Sequence, residues 1–151
     1  MPTAVVIGLY LIYTAVLCYV SWTDIQTRRI PNKVIGPAIL VALGATMWSG
    51  NWNDALLGAV LGPLPLVISR WISGASQVGM GDIKLALFIG LILGHPLVLY
   101  GITTSLVLSL LVGAVGIVRG KYTMRSKLPF GPFLAVGALA MMVVALLPRV
   151  V

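Results

Sequence analysis

Long apolar stretches that carry almost no charge constrain this chain more than any other feature of its sequence. The 151 residues are 60% hydrophobic and only 9% charged, with a mean hydropathy of +1.08. Soluble domains carry about 25% charged residues, so this chain has too few polar side chains to cover a globular surface in water. The composition excludes a soluble enzyme, a disordered segment and a DNA-binding domain, and it indicates a protein embedded in a lipid bilayer.

The apolar runs predict six membrane helices, since each crossing needs roughly 20 apolar residues. The first run, Ala4 to Trp22, has its first positive charges behind it, which is the reverse of a cleaved signal peptide. We therefore expect a retained helix there. The 38 residues from Gly81 to Val118 would form a helix about 57 Å long, so they are predicted to fold back at Gly94-His95-Pro96. The predicted segments are 4–22, 34–48, 55–72, the two halves of 81–118, and 130–147.

The third segment contains two prolines, Pro63 and Pro65. Prolines are tolerated in membrane helices where neighbouring groups satisfy the freed carbonyls, so we predict a kink there rather than a break. Taken together, the segments predict an all-α, polytopic membrane protein. Its six transmembrane helices are expected to form a bundle that is a single domain over residues 1–151.

Small residues recur at a spacing that is typical of closely packed membrane helices. The two instances are Gly58-x-x-x-Gly62 and Gly90-x-x-x-Gly94. In a chain with 17 glycines such spacings arise partly by chance, so they indicate close packing without defining the partner helix.

The positive charges predict the orientation of the bundle in the membrane. Ten Lys and Arg residues outnumber three acids, which gives a net charge of +7. Lys and Arg accumulate in cytoplasmic loops, and here they follow the first, third and fifth predicted helices, whereas the loops around Asn51 and His95 have none. This pattern predicts an inner-membrane protein with both termini outside. Arg149, near the C-terminus, is the exception. The basic residues on the predicted cytoplasmic side are Arg28, Arg29, Lys33, Arg70, Arg119, Lys121, Arg125 and Lys127.

The three acids fall into two groups. Asp54 lies in an outer loop directly before an apolar run, where we expect it to cap the next helix. Asp24 follows the first helix and Asp82 opens the fourth, and both of these helix ends are predicted on the cytoplasmic side. The topology thus brings these two acids to the same depth. Taken singly, Asp24 could be a solvated partner of Arg28, and Asp82 could be a helix cap.

Two neighbouring carboxylates can perform acid–base chemistry on a peptide bond. Both cannot ionise easily at close range, so one is expected to hold a proton near neutral pH. The ionised acid can deprotonate a water while the protonated acid donates to the carbonyl oxygen. Gly79 and Gly81, just before Asp82, would let a substrate backbone approach closely. Either acid can take either role.

Three segments of the chain resemble a known family: Asp24-Ile-Gln-Thr-Arg-Arg-Ile-Pro-Asn32, Gly79-Met-Gly-Asp-Ile-Lys-Leu85 and Leu128-Pro-Phe-Gly-Pro-Phe-Leu-Ala-Val-Gly137. In this order, across nearly the whole chain, they resemble the type IV prepilin peptidases, which are GxGD intramembrane aspartyl proteases. The resemblance implies that the protein removes the short basic leader from prepilin-like precursors at the cytoplasmic membrane face. It also implies that Asp24 and Asp82 are the catalytic residues.

Further residues are expected to shape the site or to bind the substrate, because they belong to the resembling segments: Gly79, Gly81, Lys84, Pro129, Phe130 and Gly131. From the residues alone, the segment 128–132 is equally well a helix entry with Pro132 in the first turn. Lys84 could interact with Asp82 or extend to the membrane interface.

The chain departs from many prepilin peptidases at its N-terminal side. Those members also methylate the new amino terminus, and they carry paired Cys-x-x-Cys zinc ligands. This chain has one cysteine, Cys18, and reaches its first aspartate at residue 24. We therefore expect a peptidase-only form with no metal and no cofactor. It is similar to the short members associated with Flp/Tad-type pili or with archaeal flagellin-like precursors.

Two other functions are compatible with the sequence. A small proton-coupled transporter would use Asp24 and Asp82 as relay acids, although relay acids are expected deeper in a bundle. A non-catalytic assembly subunit would bind pilin helices through its small-residue faces. The expected partners are prepilin-like precursors and the lipid bilayer, with no nucleic acid, and the sequence leaves the oligomeric state open.

Overall fold

The computed structural model describes residues 2–73, 78–121, 123 and 128–150, and over these ranges the chain is helical, with no β-strand. The helices in the described ranges are α1 (Thr3–Thr27), α2 (Asn32–Ser49), α3 (Trp52–Leu61), α4 (Leu64–Ser73), α5 (Met80–Leu93), α6 (Leu97–Val118) and α7 (Gly131–Val150). The predicted all-α fold is confirmed, with α3 and α4 together forming the third of the six segments.

Several helices have the length and apolar character of membrane spans. Three segments are long and apolar enough to cross a bilayer: Thr3–Thr27, Trp52–Ile72 and Leu97–Val118. The apolar helix Gly131–Leu147 is shorter. With 14 residues, α5 extends about 21 Å at 1.5 Å per residue, which is less than a hydrocarbon core about 30 Å thick. The outside of the bundle exposes many large apolar side chains, as expected for a multi-pass protein whose solvent is lipid.

The central element of the bundle is α5, which contacts α2, α3, α4, α6 and α7. Seven of its 14 residues are buried: Leu85, Ala86, Phe88, Ile89, Gly90, Leu91 and Leu93. A helix that is hydrophobic all round is buried on all sides, and α5 has that composition. Tyr13 of α1 packs edge-on against Phe88, with ring centroids 5.6 Å apart. The packing of α5 against its neighbours therefore determines where Asp82, in the first turn of this helix, lies in the bundle.

The helices α3 and α5 cross at backbone contact. A Cβ atom added to Gly58 would overlap the Gly90 carbonyl oxygen, and one added to Gly90 would overlap the Gly58 carbonyl oxygen. A Cβ on Gly62, the residue just after α3, would lie 2.8 Å from the Ala86 carbonyl oxygen. The predicted close packing of these glycines is confirmed, and the structure identifies the partners as α3 and α5.

The third segment is interrupted at Gly62 and Pro63. Neither Pro63 nor Pro65 has an N–H group with which to continue the helical hydrogen bonds. As a result, α3 ends at Leu61 and α4 begins at Leu64. Gly62 keeps a right-handed helical backbone and its N–H donates to the Gly58 carbonyl, so the two helices together form one membrane span and the segment is not broken there, as predicted.

The end of the bundle away from Asp24 contains a cavity of about 510 Å³, whose lining includes Asp54 and His95. The His95 N–H donates to the Asp54 carbonyl at 2.8 Å, and His95 lies in the turn between α5 and α6, as predicted. The expected capping role of Asp54 is wrong, because α3 begins earlier, at Trp52. Asp54 instead lies inside the first turn, where the helix dipole favours a negative charge.

We predict that replacing Gly90 with Ala lowers the free energy of unfolding of the bundle in detergent by about 1–3 kcal/mol. The added Cβ would meet the Gly58 backbone, which cannot move aside without separating α3 from α5. Gly44→Ala in α2 is the matched control, because nothing lies within 4 Å of its Cβ position. Unfolding followed by circular dichroism in one detergent compares them, and equal stabilities of the two variants would contradict the close crossing.

Candidate active site

The structure brings Asp24 and Asp82 together at one end of the bundle. Asp24 lies in the last turn of α1, and Asp82 lies in the first turn of α5. Their carboxyl groups are close enough to repel each other electrostatically. The two acids that are 58 positions apart in the sequence thus lie at the same end of the bundle, as the order of the helices predicted.

The side chain of Asp24 is buried, with only 6% of its surface exposed. Its Oδ2 accepts a hydrogen bond from the backbone N–H of Gly131, with an N–O distance of 3.0 Å. Gly131 is the first residue of α7, and N–H groups in the first turn of a helix have no partner within the helix and carry partial positive charge. The start of α7 therefore gives this buried carboxylate the polar partner that burial requires.

Gly131 makes this contact because it has no side chain. A Cβ atom at this position would lie 2.8 Å from the Asp24 Oδ2 and 3.2 Å from its Cγ. The next residue, Pro132, lies in the first turn of α7, where its missing N–H removes no helical hydrogen bond. The helix entry expected from the residues is confirmed, and the same entry contacts the first acid.

Asp82 is held by the residues just before its own helix. It is the third residue of α5, and the backbone N–H of Gly79 is close enough to stabilise the charge of its carboxylate. The third residue of a helix and the N–H of the residue before the helix face each other in the same way in a capping box. A Cβ on Gly79 would lie 3.1 Å from the Asp82 Oδ2. Asp82 is therefore both a helix-start residue and the neighbour of Asp24.

The first and second motifs also contact each other directly. A Cβ on Gly81 would lie 2.8 Å from the Ile30 Cβ, so the start of α5 packs tightly against the connection between α1 and α2. The Lys84 Nζ donates to the Asn32 Oδ1 at 2.8 Å. Asn32 was not anticipated as its partner, although both residues stand in the resembling segments. Gly81 and Lys84 thus join the segment that follows Asp24 to the helix that carries Asp82.

Pro129 and Phe130 lie half-buried in the stretch before α7. Phe130 packs against the hydrophobic core, and its carbonyl accepts the Leu134 N–H at 3.1 Å as α7 begins. These residues set the position of Gly131. The structure therefore places them beside the acid pair through the backbone, and their predicted contact with substrate stays a prediction.

The described ranges of the chain contain no group of three or more His, Cys, Asp or Glu side chains that could hold a metal ion. Two carboxyl groups such as Asp24 and Asp82 can transfer protons.

These features define a helical membrane protein with a pair of carboxyl groups at one end of its bundle. The profile of the type IV leader peptidase family matches residues 11–148. The chain belongs to this family, which confirms the resemblance seen in its three motifs.

Similar curated proteins carry the name prepilin leader peptidase/N-methyltransferase. The protein of Bacillus subtilis (strain 168) is 32% identical over 130 residues, that of Burkholderia pseudomallei (strain 1026b) is 32% identical over 132 residues, and that of Pseudomonas aeruginosa is 28% identical over 135 residues. The alignments cover 85%, 83% and 85% of this chain, but 52%, 43% and 47% of the relatives. The chain thus spans about half the length of these relatives. No solved structure gives a significant match.

We predict that Gly131→Ala lowers the free energy of unfolding by about 1–3 kcal/mol, because it displaces the Asp24 carboxylate and weakens a charge-assisted hydrogen bond. In an Asp24→Ala background, Gly131→Ala should lower the free energy of unfolding much less, so that the double-mutant cycle gives a coupling free energy of at least about 1 kcal/mol. The free energy of unfolding is measured in mixed micelles for the wild type, the two single variants and the double variant.

Gly36→Ala in α2 is the control for this cycle, since no atom lies within 4 Å of its Cβ position. Its effect should be the same in both backgrounds. An equal cost of Gly131→Ala with and without the Asp24 carboxylate would contradict the contact.

Proposed function

We propose that this protein is an aspartyl endopeptidase that removes the basic leader from type IV prepilin-like precursors at the cytoplasmic face of the inner membrane. The observation that carries the proposal is the convergence of three motifs on two adjoining acids. Asp24 accepts from Gly131 of the third motif, and Asp82 opens a helix that packs on the first motif through Gly81. The name of the relatives supports the substrate class, and the proposal takes over only the peptidase half of that name.

A shared proton between Asp24 and Asp82 would drive the reaction. The ionised carboxylate takes a proton from a water as that water attacks the scissile carbonyl, and the protonated partner donates to the carbonyl oxygen. Collapse of the tetrahedral species, with proton transfer to the leaving nitrogen, breaks the peptide bond. The titration belongs to the pair, so the acid and base roles are assigned to both residues together.

The backbone contacts of the two acids suit them to this role. The Asp24 carboxylate accepts the Gly131 N–H, and the Gly79 N–H lies near enough to the Asp82 carboxylate to stabilise its charge. A carboxylate has about four acceptor sites, so one such contact leaves capacity for water or substrate. Preorganised groups of this kind avoid the cost of reorientation during the reaction.

The distribution of charge supports a cytoplasmic position for the acid pair. Basic residues at the same end of the bundle follow α1 and α6 or lie early in α2 and α5, and the opposite loops, 49–54 and 94–96, contain no Lys or Arg. By the positive-inside rule this end faces the cytoplasm and both termini lie outside. The basic residues concerned are Arg28, Arg29, Lys33, Lys84, Arg119 and Lys121.

A precursor with a basic leader and one membrane-spanning helix would present its cleavage site at the depth of the acid pair. The helix would stay in the bilayer and the charged leader in the cytoplasm. Because the surrounding loops are themselves basic, we expect packing of the substrate helix against the bundle to supply most of the affinity. Small pilins of the Flp/Tad type are the precursors that we propose as substrates.

The proposal predicts that Asp24→Asn or Asp82→Asn lowers leader removal by about 100-fold or more, because each change removes one member of an acid–base pair. The assay is a tagged prepilin expressed with each variant in cells that lack another prepilin peptidase. The shift from precursor to mature size is followed on immunoblots, with membrane levels of each variant measured in parallel.

Asp54→Asn is the matched control, since it removes the remaining acid of the chain at the opposite end of the bundle and should leave processing unchanged. Processing at the wild-type rate with either variant of the acid pair would refute the proposal. Intact processing together with loss of proton-coupled solute uptake would instead identify the two acids as relay groups.

A further inference from the structure

The peptide group between Val78 and Gly79 is held from both sides by charged groups. Its carbonyl oxygen accepts a hydrogen bond from the Arg70 guanidinium. Its N–H belongs to Gly79 and lies close enough to the Asp82 carboxylate to stabilise the charge of that group, and a Cβ on Gly79 would lie 3.1 Å from the Asp82 Oδ2. A single peptide group therefore connects a cation on α4 to one of the two acids on which the proposed function depends.

Arg70 is placed well for this contact. It lies in the last turn of α4, where the helix dipole favours a positive charge, and its side chain is half-buried. A guanidinium directed at a carbonyl oxygen forms a charge-assisted hydrogen bond, which is shorter and stronger than a bond between neutral groups. Val78 itself packs against the hydrophobic core, so the peptide group that Arg70 holds is also fixed from the inside of the bundle.

The two contacts of this peptide group strengthen each other. A cation at the carbonyl oxygen withdraws electron density from the peptide group and makes its N–H a better donor, because hydrogen bonds in a chain polarise one another. The orientation of the peptide plane also determines where the Gly79 N–H points. If the carbonyl rotates away from Arg70, the N–H on the opposite side of the same plane rotates away from Asp82.

We propose that Arg70 is a positioning residue for Asp82, which acts by orienting the Val78–Gly79 peptide group. From the sequence, Arg70 had only the role of a cytoplasmic charge that sets membrane orientation. The structure adds a specific partner, one residue before the glycine that binds the acid. The effect on catalysis rests on the proposed function. The effect on the peptide group rests on the geometry alone.

The surroundings of α4 explain why one side chain can matter at this point. Within the described ranges, α4 contacts α3 and α5, and its last residues are largely exposed, with Trp71 at 89% and Ile72 at 76%. The hydrogen bond from Arg70 to the Val78 carbonyl joins the end of α4 to the residues just before α5.

The experiment compares Arg70→Met, Arg70→Lys and Arg119→Met in purified protein. Arg70→Met keeps an unbranched apolar stem and removes the donors, and Arg70→Lys keeps a charged donor. Arg119→Met is the control, because it removes a cation from the same end of the bundle at an exposed position after α6. Two readouts are taken: kcat and KM for cleavage of a prepilin in proteoliposomes, and hydrogen exchange of peptides that cover residues 78–84.

Arg70→Met should lower kcat by roughly 10- to 100-fold, as misplacement of a reacting group does, with KM within about twofold of the wild type because the substrate contacts are unchanged. Exchange over residues 78–84 should be faster. Arg70→Lys should recover most of kcat, and Arg119→Met should match the wild type in both readouts. If Arg70→Met does not fold, Arg70→Gln, which is also uncharged but polar, is measured with the same expected directions.

Three results would overturn the positioning role: an unchanged exchange rate in the Arg70→Met protein, a rise in KM with kcat intact, or equal losses in the Arg70→Met and Arg119→Met proteins. The exchange readout does not depend on activity. Failure of the proposed function, seen as no prepilin cleavage by the wild type, is therefore distinct from failure of this inference, seen as unchanged exchange.

Discussion

The contact between Asp24 and the first N–H of α7 determines much of how this bundle is arranged. A carboxylate that is almost buried is costly unless a polar group meets it, and the Gly131 N–H meets it at 3.0 Å. To supply that N–H, α7 must begin beside the end of α1 and must begin with a residue that has no side chain. The glycine at the start of the third motif thus serves one hydrogen bond, at the place where α1 packs against α7.

The second acid is positioned by a different device, the burial of α5. Because α5 is enclosed by five other helices and meets α3 at backbone contact through Gly58 and Gly90, its first turn has little freedom to move. Asp82 is then oriented locally by Gly79 and, as we infer, by Arg70 through the same peptide group. One acid is therefore placed by a partner distant in the sequence, and the other by the start of its own helix.

The sequence predicted the parts of this structure that the bilayer imposes. Hydrocarbon thickness requires long apolar segments, so the six segments and the shared depth of Asp24 and Asp82 followed from counting residues. Helix ends were less predictable. Polar residues at the membrane interface continue α1 to Thr27, five positions beyond the apolar run that ended at Trp22, because a helix does not have to stop where its apolar residues do.

The side-chain contacts at the site could not be predicted from the sequence. The bond between Asp24 and Gly131 joins residues 107 positions apart, and the bond between Lys84 and Asn32 joins residues 52 apart. Such contacts depend on how helices pack, which neither periodicity nor motif spacing specifies. The motifs indicated which residues lie close together, and the structure shows which of their atoms are in contact.

The turn at Gly62 and Pro63 divides the third segment into two parts with different surroundings. The first part, α3, is locked to α5 by the glycine crossing, whereas α4 ends in apolar side chains that are exposed on the outside of the bundle. The half of this segment that borders the lipid is therefore also the half whose arginine contacts the residues just before α5.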